Sequence, residues 1–474
     1  MAFAEAKLQP RDTQRVETRW RRIQTPIPVP QSLPELEALR AVEPRSMMGM
    51  PPVLWQEAEG FLVRDPFGNQ WIDLTSGIVL ANAGHSHPKI CEAICRAVEQ
   101  KLLVTYSFPS RQRRETLEKL MEISPIPDSK AILFSAGTEA NECAIALMRS
   151  HGRTQSPKKV GILSFRGGYH GRTLGASLAS GTPQPDDWIA RDRVHYYQIP
   201  FPYCLRNPWK EGRNELSDRA CFAQCLEELR HQGVGPEQIA GILVEPMPGW
   251  NTWPIPADFA QAMMDWARQH QILVCFDEVQ SGCGRSSKFF AHEHCGVVSD
   301  LITLGKGLTS SLPVSALIGP SWLLDQPAPG EMSSTHGGNP VCAAAALANL
   351  QVIEDENLVE RSAQTGQIVL AELQQIQRDF PDRVFSIHGH GLFLSIHLKQ
   401  PNNNEPDIEL ADAVAQDAVR RGVMMFVTGQ GYLKITPPLS IDVDAALEAV
   451  QVVRECLHDL IAAGDNLVGQ EMQR

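Results

Sequence analysis

The sequence predicts an α/β protein: a mostly parallel sheet with helices on both faces, followed by a smaller α+β region. Two patterns carry that expectation. Apolar runs of four to six residues recur from residue 131 to 318 with helical stretches between several of them. Strands covered on both faces read as such unbroken runs. Beyond Pro340 the pattern changes to an Ala-rich helix, two long helical stretches and strands at 393–398 and 433–435.

In chain order, residues 1–50 read as an N-terminal arm rich in Pro, Arg and Gln with little core of its own. Residues 51–85 read as short antiparallel strands at 52–55, 60–63 and 71–74, since Asp65-Pro66 and Gly68-Asn69 are strong turn signals. Residues 86–340 form the large domain. Pro88 opens a helix to about residue 102, with apolar positions 90, 94, 98 and 102 on one face. Strands are expected at 131–134, 160–165, 239–244, 272–276, 301–304 and 315–318, and helices at 139–150 and 257–270. Residues 341–474 form the C-terminal domain.

A formal net charge of −12 argues against a nucleic-acid surface, which wants clustered Lys and Arg. No stretch approaches the roughly 20 apolar residues of a membrane helix. The one basic cluster, Arg11, Arg15, Arg19, Arg21 and Arg22, is interleaved with Asp12 and Glu17 and leads into no apolar run, unlike a secretory signal. It reads as a solvated arm or a subunit contact. The 11 cysteines are scattered, and the pairs Cys91/Cys95 and Cys221/Cys225 have helical spacing rather than a C-x-x-C pattern. Free thiols in a reducing cytoplasm are expected.

The chemistry concentrates where strands end. Asp277 and Lys306 each follow an apolar strand, 29 residues apart, about the length of one strand-helix-strand unit. The carboxyl edge of an open α/β sheet is where ligands bind. A lysine among apolar and glycine neighbours is costly to bury as a cation; it makes sense as the amine that joins an aldehyde cofactor. Asp277 is the carboxylate that would keep a pyridine nitrogen protonated. The plain alternative makes Asp277 a helix cap and Lys306 a surface ion-pair partner. Gly137 and Thr138, in the Ser135-Ala136-Gly137-Thr138 turn before a helix, suit an anion such as phosphate, although such a turn also serves as an ordinary cap. Tyr169 offers a face for a flat ring, and Arg172 a fork for a carboxylate.

From about residue 50 to 445 the chain resembles the class III (omega) aminotransferases, the group of the 4-aminobutyrate, ornithine and acetylornithine enzymes. The resemblance rests on Gly84-His85-Ser86-His87-Pro88, Gly137-Thr138-Glu139-Ala140-Asn141-Glu142 and Tyr169-His170-Gly171-Arg172-Thr173. It continues through Glu245-Pro246, Asp277-Glu278-Val279-Gln280, Lys306-Gly307, Thr335-His336-Gly337-Gly338-Asn339-Pro340 and Pro437-Pro438-Leu439. It implies a pyridoxal 5'-phosphate (PLP) enzyme of fold type I, with the smaller domain built from both chain ends. It also implies a Schiff base at Lys306, which then carries the proton between substrate and cofactor. Asp277 pairs with the pyridine nitrogen, Val279 and Tyr169 cover the two ring faces, and Gln280 reaches the phenolic oxygen. Gly137 and Thr138 hold the phosphate, and Thr335 reaches that of a neighbouring subunit, so at least a homodimer is implied. Glu245 lines the substrate pocket, and Arg172 meets the distal carboxylate of a dicarboxylic partner.

Two positions depart from the 4-aminobutyrate pattern. Lys434 stands where the carboxylate-binding Arg is expected, and Lys lacks the planar two-point fork. Trp250 stands where the Glu that masks that Arg is expected, five residues after Glu245. Together they suggest a Lys434 anion contact beside an apolar wall at Trp250. Transamination of an amino acid or omega-amino acid with an oxo acid such as 2-oxoglutarate or pyruvate is the leading expectation. Racemisation or epimerisation, decarboxylation and phospho-lyase elimination use the same cofactor machinery and differ in pocket residues. A regulatory, non-enzymatic relative would be expected to have lost Lys306 or Asp277.

Overall fold

The computed structural model describes residues 8–181, 194–203 and 217–471. The chain divides into two compact units, one of Pro88–Val359 and one made of residues up to 87 together with those from 360 onward.

In the first unit seven strands form one sheet: β1 (Ser129–Phe134), β2 (Gly161–Phe165), β3 (Tyr196–Ile199), β4 (Ile239–Val244), β5 (Leu273–Asp277), β6 (Leu301–Leu304) and β7 (Ser315–Pro320). Their spatial order is β1-β7-β6-β5-β4-β2-β3. All neighbours from β3 to β6 run parallel. Strand β7 is antiparallel to both β6 and β1. Its direction follows from the link between β6 and β7, residues 305–314, which is shorter than the dozen or so residues a parallel crossover needs.

The main helices of this unit are α1 (Pro88–Glu99), α2 (Arg111–Ile123), α3 (Gly137–Gln155), α4 (Asp218–His231), α5 (Ala257–Gln269) and α6 (Pro340–Asp355). Side-chain alternation along the strands feeds two cores. Ile162, Leu243, Cys275 and Leu301 meet Ala140, Ala144, Leu147 and Met148 of α3 on one face. Leu163, Ile242, Val274 and Phe276 meet Phe222 of α4 and Phe259 and Met263 of α5 on the other. The two-sided cover expected from unbroken apolar runs is therefore present.

Three local expectations differ. Strand β3 was not foreseen, because Tyr196-Tyr197-Gln198-Ile199 lacks a clean apolar run. The stretch between Asp277 and Lys306 contains no α-helix, only a short 3-10 turn at Ala291–Cys295. Buried Glu278 organises it instead, accepting from Ser281 Oγ (2.7 Å), Ala291 N (3.0 Å), His292 N (2.8 Å) and His292 Nδ1 (3.0 Å). The large unit also extends past residue 340. Ala343, Ala345 and Ala346 of α6 are fully buried, and Thr116 Oγ1 of α2 donates to the Ala343 carbonyl (2.8 Å), so α6 belongs with α1 and α2.

The second unit joins both chain ends in one sheet. Strands Val16–Glu17, Arg22–Ile23, Gln70–Asp73, Leu62–Arg64 and Glu57–Glu59 pair in that order, and Val423–Met424 runs parallel to Gln70–Asp73. Ile23 and Ile27 are buried, so the arm contributes core after all. Residues 52–55 are not a strand; Pro51 and Pro52 have no N–H for a ladder, and pairing starts at Glu57. A second, antiparallel sheet contains Val384–His390, Phe393–Leu398, Tyr432–Ile435 and Phe426–Val427. Among the described residues no helix is long and apolar enough to cross a membrane.

Candidate active site

Strands β1, β2, β4, β5 and β6 share a direction, so the residues after them collect at one edge of the sheet: Ser135, Tyr169, Glu245, Asp277 and Lys306. Asp277 ends β5 opposite Thr303 of β6. Its carboxylate is almost fully buried and surrounded by donors. Oδ2 accepts from Asn141 Nδ2 (2.7 Å) and lies 2.8 Å from His170 Nδ1. Oδ1 accepts from Val279 N (3.1 Å) and Thr303 Oγ1 (3.3 Å). Asn141 ties the cage together, donating also to the His170 carbonyl (2.8 Å) and accepting from Thr303 Oγ1 (2.8 Å). Such a shell fixes a buried carboxylate in direction.

Lys306 follows β6 between two glycines in a left-handed conformation (φ 41°), a strain of about 1–3 kcal/mol for a residue with a Cβ. Fully buried Asn349 of α6 holds the turn, donating to the carbonyls of Gly307 and Leu308 at 2.9 Å each. Burial lowers the Lys306 ammonium from its ordinary value, against the pull of Asp277 and Glu245. The amine is thereby shifted toward its neutral, nucleophilic form.

Glu245 follows β4. Burial pushes its carboxyl up to about 7; His170 opposes that rise, Asp277 adds to it, and bonds from two backbone amides hold it back. Oε1 accepts from Tyr169 N (2.8 Å) and Oε2 from Gly249 N (2.6 Å). The side chain therefore staples the loop after β2 to the loop after β4. Around this staple the loops pack closely: a Cβ at Gly167 would strike the Trp250 ring, and one at Gly249 would strike Gln280.

Val279 is wedged between two other elements of the site. Its Cγ1 lies 2.7 Å from where a Cβ on Gly137 would be, and 3.2 Å from the same point on Gly305. Helix α3 starts at Gly137, with the Glu139 carboxylate accepting from Ser135 N (3.0 Å) and Ala136 N (2.9 Å). Thr138 Oγ1 lies 2.6 Å from Thr173 Oγ1, and Gly171 leaves no room for a Cβ beside Thr138. The result is a helix N-terminus with two hydroxyls at the edge where Asp277 and Lys306 end their strands, a setting suited to a phosphate.

This arrangement contains a fixed buried carboxylate, a depressed lysine and a helix start with two hydroxyls, features that fit a phosphorylated pyridine aldehyde. The class-III aminotransferase family model matches residues 44–457. The chain belongs to the class-III aminotransferases. Members of this family depend on pyridoxal 5'-phosphate, and the residues above fit that group. A 4-aminobutyrate aminotransferase of Mycobacterium leprae is 30% identical over 445 residues, covering 93% of this chain and 98% of its own. An alanine/serine racemase of Pyrococcus horikoshii is 31% identical over 420 residues, covering 86% of each. A Bacillus anthracis aminotransferase of known structure superposes with a TM-score of 0.81 at 26% identity, covering 90% of this chain and 99% of that one.

Other expected residues of this aminotransferase lie as follows. Tyr169 is half-buried, and the exposed Arg172 guanidinium sits 5.9 Å from its ring centre. Thr335 is exposed in the chain taken alone. Lys434, in the second unit, does not face solvent; it is fully buried on strand Tyr432–Ile435, its Nζ 4.0 Å over the Phe393 ring. The sequence reading gave no roles to Asn141, His170 and Thr303. One signal was available for Thr303, a hydroxyl inside the apolar run Leu301-Ile302-Thr303-Leu304.

Proposed function

We propose that this enzyme moves an amino group between an amino acid or omega-amino acid and an oxo acid, with Lys306 as both cofactor anchor and proton carrier. The observation that carries the reading is the pairing of the caged Asp277 carboxylate with a Lys306 amine depressed by burial, at the ends of adjacent strands. Pyridoxal phosphate supplies an aldehyde and an electron sink when bound. The chain's residues do the rest. Asp277 keeps a proton on the pyridine nitrogen, and Asn141, His170 and Thr303 hold Asp277 in place for it. Gly137 and Thr138 receive the phosphate at the start of α3. Val279 and Tyr169 enclose the ring, Gln280 meets its phenolic oxygen, and Lys306 Nζ accepts and returns the substrate's α proton.

On the substrate side, Arg172 offers a fork to a distal carboxylate and Trp250 an apolar wall against Gly167; Lys434, fully buried in the second unit, is given no substrate contact. We further infer that two copies pair, with Thr335 of each serving the cofactor phosphate of the other. The exposed apolar run Leu102, Leu103, Val104, Tyr106 and Phe108 supports such pairing. The free state of the ten described cysteines supports a reducing, cytoplasmic setting.

The test is a donor and acceptor screen. Single amino acids are incubated with and without 2-oxoglutarate or pyruvate. Keto product that appears only with the oxo acid supports transamination. Loss of optical rotation with no acceptor present supports the second reading, amino-acid racemisation, which the 31% identity to a racemase and the Trp250 and Lys434 departures favour. Borohydride treatment should fix the cofactor on Lys306, and Lys306→Ala should take no label. A wild-type chain that binds no pyridoxal phosphate ends both readings.

A further inference from the structure

Resting on the paired reading above, we propose that Arg113 is a positioning residue, holding Thr335 of its own copy in place for the cofactor phosphate of the other. The guanidinium of Arg113, in α2, grips three successive carbonyls of the exposed apolar segment. Nη1 donates to Tyr106 O (2.6 Å), and Nη2 to Ser107 O (3.1 Å) and Phe108 O (2.9 Å). Three consecutive carbonyls facing one cation do not occur in a strand, where carbonyls alternate in direction. They arise here because Tyr106 is left-handed (φ 48°) and Phe108 N turns back to Thr105 O (2.9 Å).

The same segment is fastened to the loop that carries Thr335. Tyr106 OH lies 3.0 Å from Ser333 Oγ, and Asn339 Nδ2 donates to Leu103 O (2.5 Å). Gly338 (φ 68°) lies against the Arg113 stem, where a Cβ would come within 2.5 Å of Cδ. Ser333, Gly338 and Asn339 thus bracket Thr335 with contacts that all lead to Arg113 or to the segment it grips. A surface that pairs two copies through residues 102–108 would in the same act fix where Thr335 projects. A hydroxyl so placed adds a donor to a phosphate only if its loop is already ordered, because ordering it on binding would cost affinity.

The experiment uses hybrid dimers purified through two different tags. One chain carries Lys306→Ala and keeps Thr335; the other keeps Lys306 and carries Thr335→Ala. The one competent Lys306 then takes Thr335 from the opposite chain. Its pyridoxal phosphate affinity, read by absorbance titration and borohydride labelling, should match wild type. A hybrid that holds the cofactor no better than the Thr335→Ala homodimer rejects the shared-site reading, and this inference with it. Arg113→Met, which keeps the stem and removes the fork, is then added to one chain at a time. In the Lys306→Ala chain it should weaken cofactor binding at the other chain's Lys306 about tenfold, as for loss of charged hydrogen bonds. In the Thr335→Ala chain it should leave that binding nearly unchanged. Equal effects from both placements, or none from either, overturn the role of Arg113 while leaving the shared site standing. Tyr106→Phe, a milder change that removes only the Ser333 link, should give a smaller rise with the same asymmetry. If Arg113→Met does not fold, a flat result for Tyr106→Phe is the overturning one.

Discussion

At the scale of single residues, the site depends on how differently its two buried carboxyl groups are held. Asp277 is surrounded by donors, whereas Glu245 has two amides and a dry setting. With its native carboxyl at about 7 against an ordinary 4.5, Glu245 holds a proton that an unfolded chain has released across that window. Its contribution to stability is therefore complete below about pH 4.5 and is lost as pH rises through 7, by up to about 3 kcal/mol. Urea unfolding of wild type and Glu245→Gln at pH 5 and pH 8 checks this; the variant should lack that part of the decline. Asn141→Ala should weaken cofactor retention and cost activity worth about 1–3 kcal/mol, because it strips a donor from a buried charge. A titration of the cofactor absorbance together with kcat measures both. Asp277 and Lys306 were legible from sequence because each is a charged residue placed where an apolar run stops. Asn141, His170 and Thr303 were not, since their value comes from meeting at Asp277 across 162 residues of sequence, and each alone is an ordinary polar residue.

At the scale of elements, apolar runs announced β1, β2 and β4 to β7; the helices expected at 139–150 and 257–270 are present as Gly137–Gln155 and Ala257–Gln269, while α4 was not expected. What escaped was decided by long-range contacts. Strand β3 exists because β2 offers it an open edge, and the stretch after Asp277 stays non-helical because Glu278 collects its backbone amides. The meeting of α3 with the ends of β5 and β6 likewise depends on small residues whose importance appears only in three dimensions. Gly137→Ala puts a methyl into the stiff Val279 side chain. It should destabilise the holoenzyme by about 1–3 kcal/mol, seen as a lower thermal midpoint, and should weaken cofactor binding in the same titration. Gly233→Ala is the contrast in space, since nothing lies near its Cβ position, although its φ of 75° adds backbone strain.

At the scale of the whole molecule, the second unit is held by its discontinuous chain. Arg21 Nε donates to Glu448 Oε1 (2.6 Å), its Nη1 donates to the Arg421 carbonyl (2.7 Å), and fully buried Ile23 lies beside them in sequence. Ile23→Ala should cost about 2–5 kcal/mol, measured as a shift in the urea midpoint. A composition rich in Pro and Arg hid this, because an arm that completes a distant sheet carries little apolar pattern of its own. The parallel pairing of Gln70–Asp73 with Val423–Met424 has a consequence for how the molecule is made. Some 350 residues separate the partners, which at ribosomal speeds of about 5–20 residues per second is a wait of tens of seconds. The contiguous unit Pro88–Val359 emerges and can close within that interval, while the earlier strands still lack their neighbour. A nascent chain stalled near residue 400 should therefore show a protease-resistant core beginning near Pro88 and a cleavable segment ahead of it, because a strand made near the end of synthesis is what completes the sheet begun by the first ones.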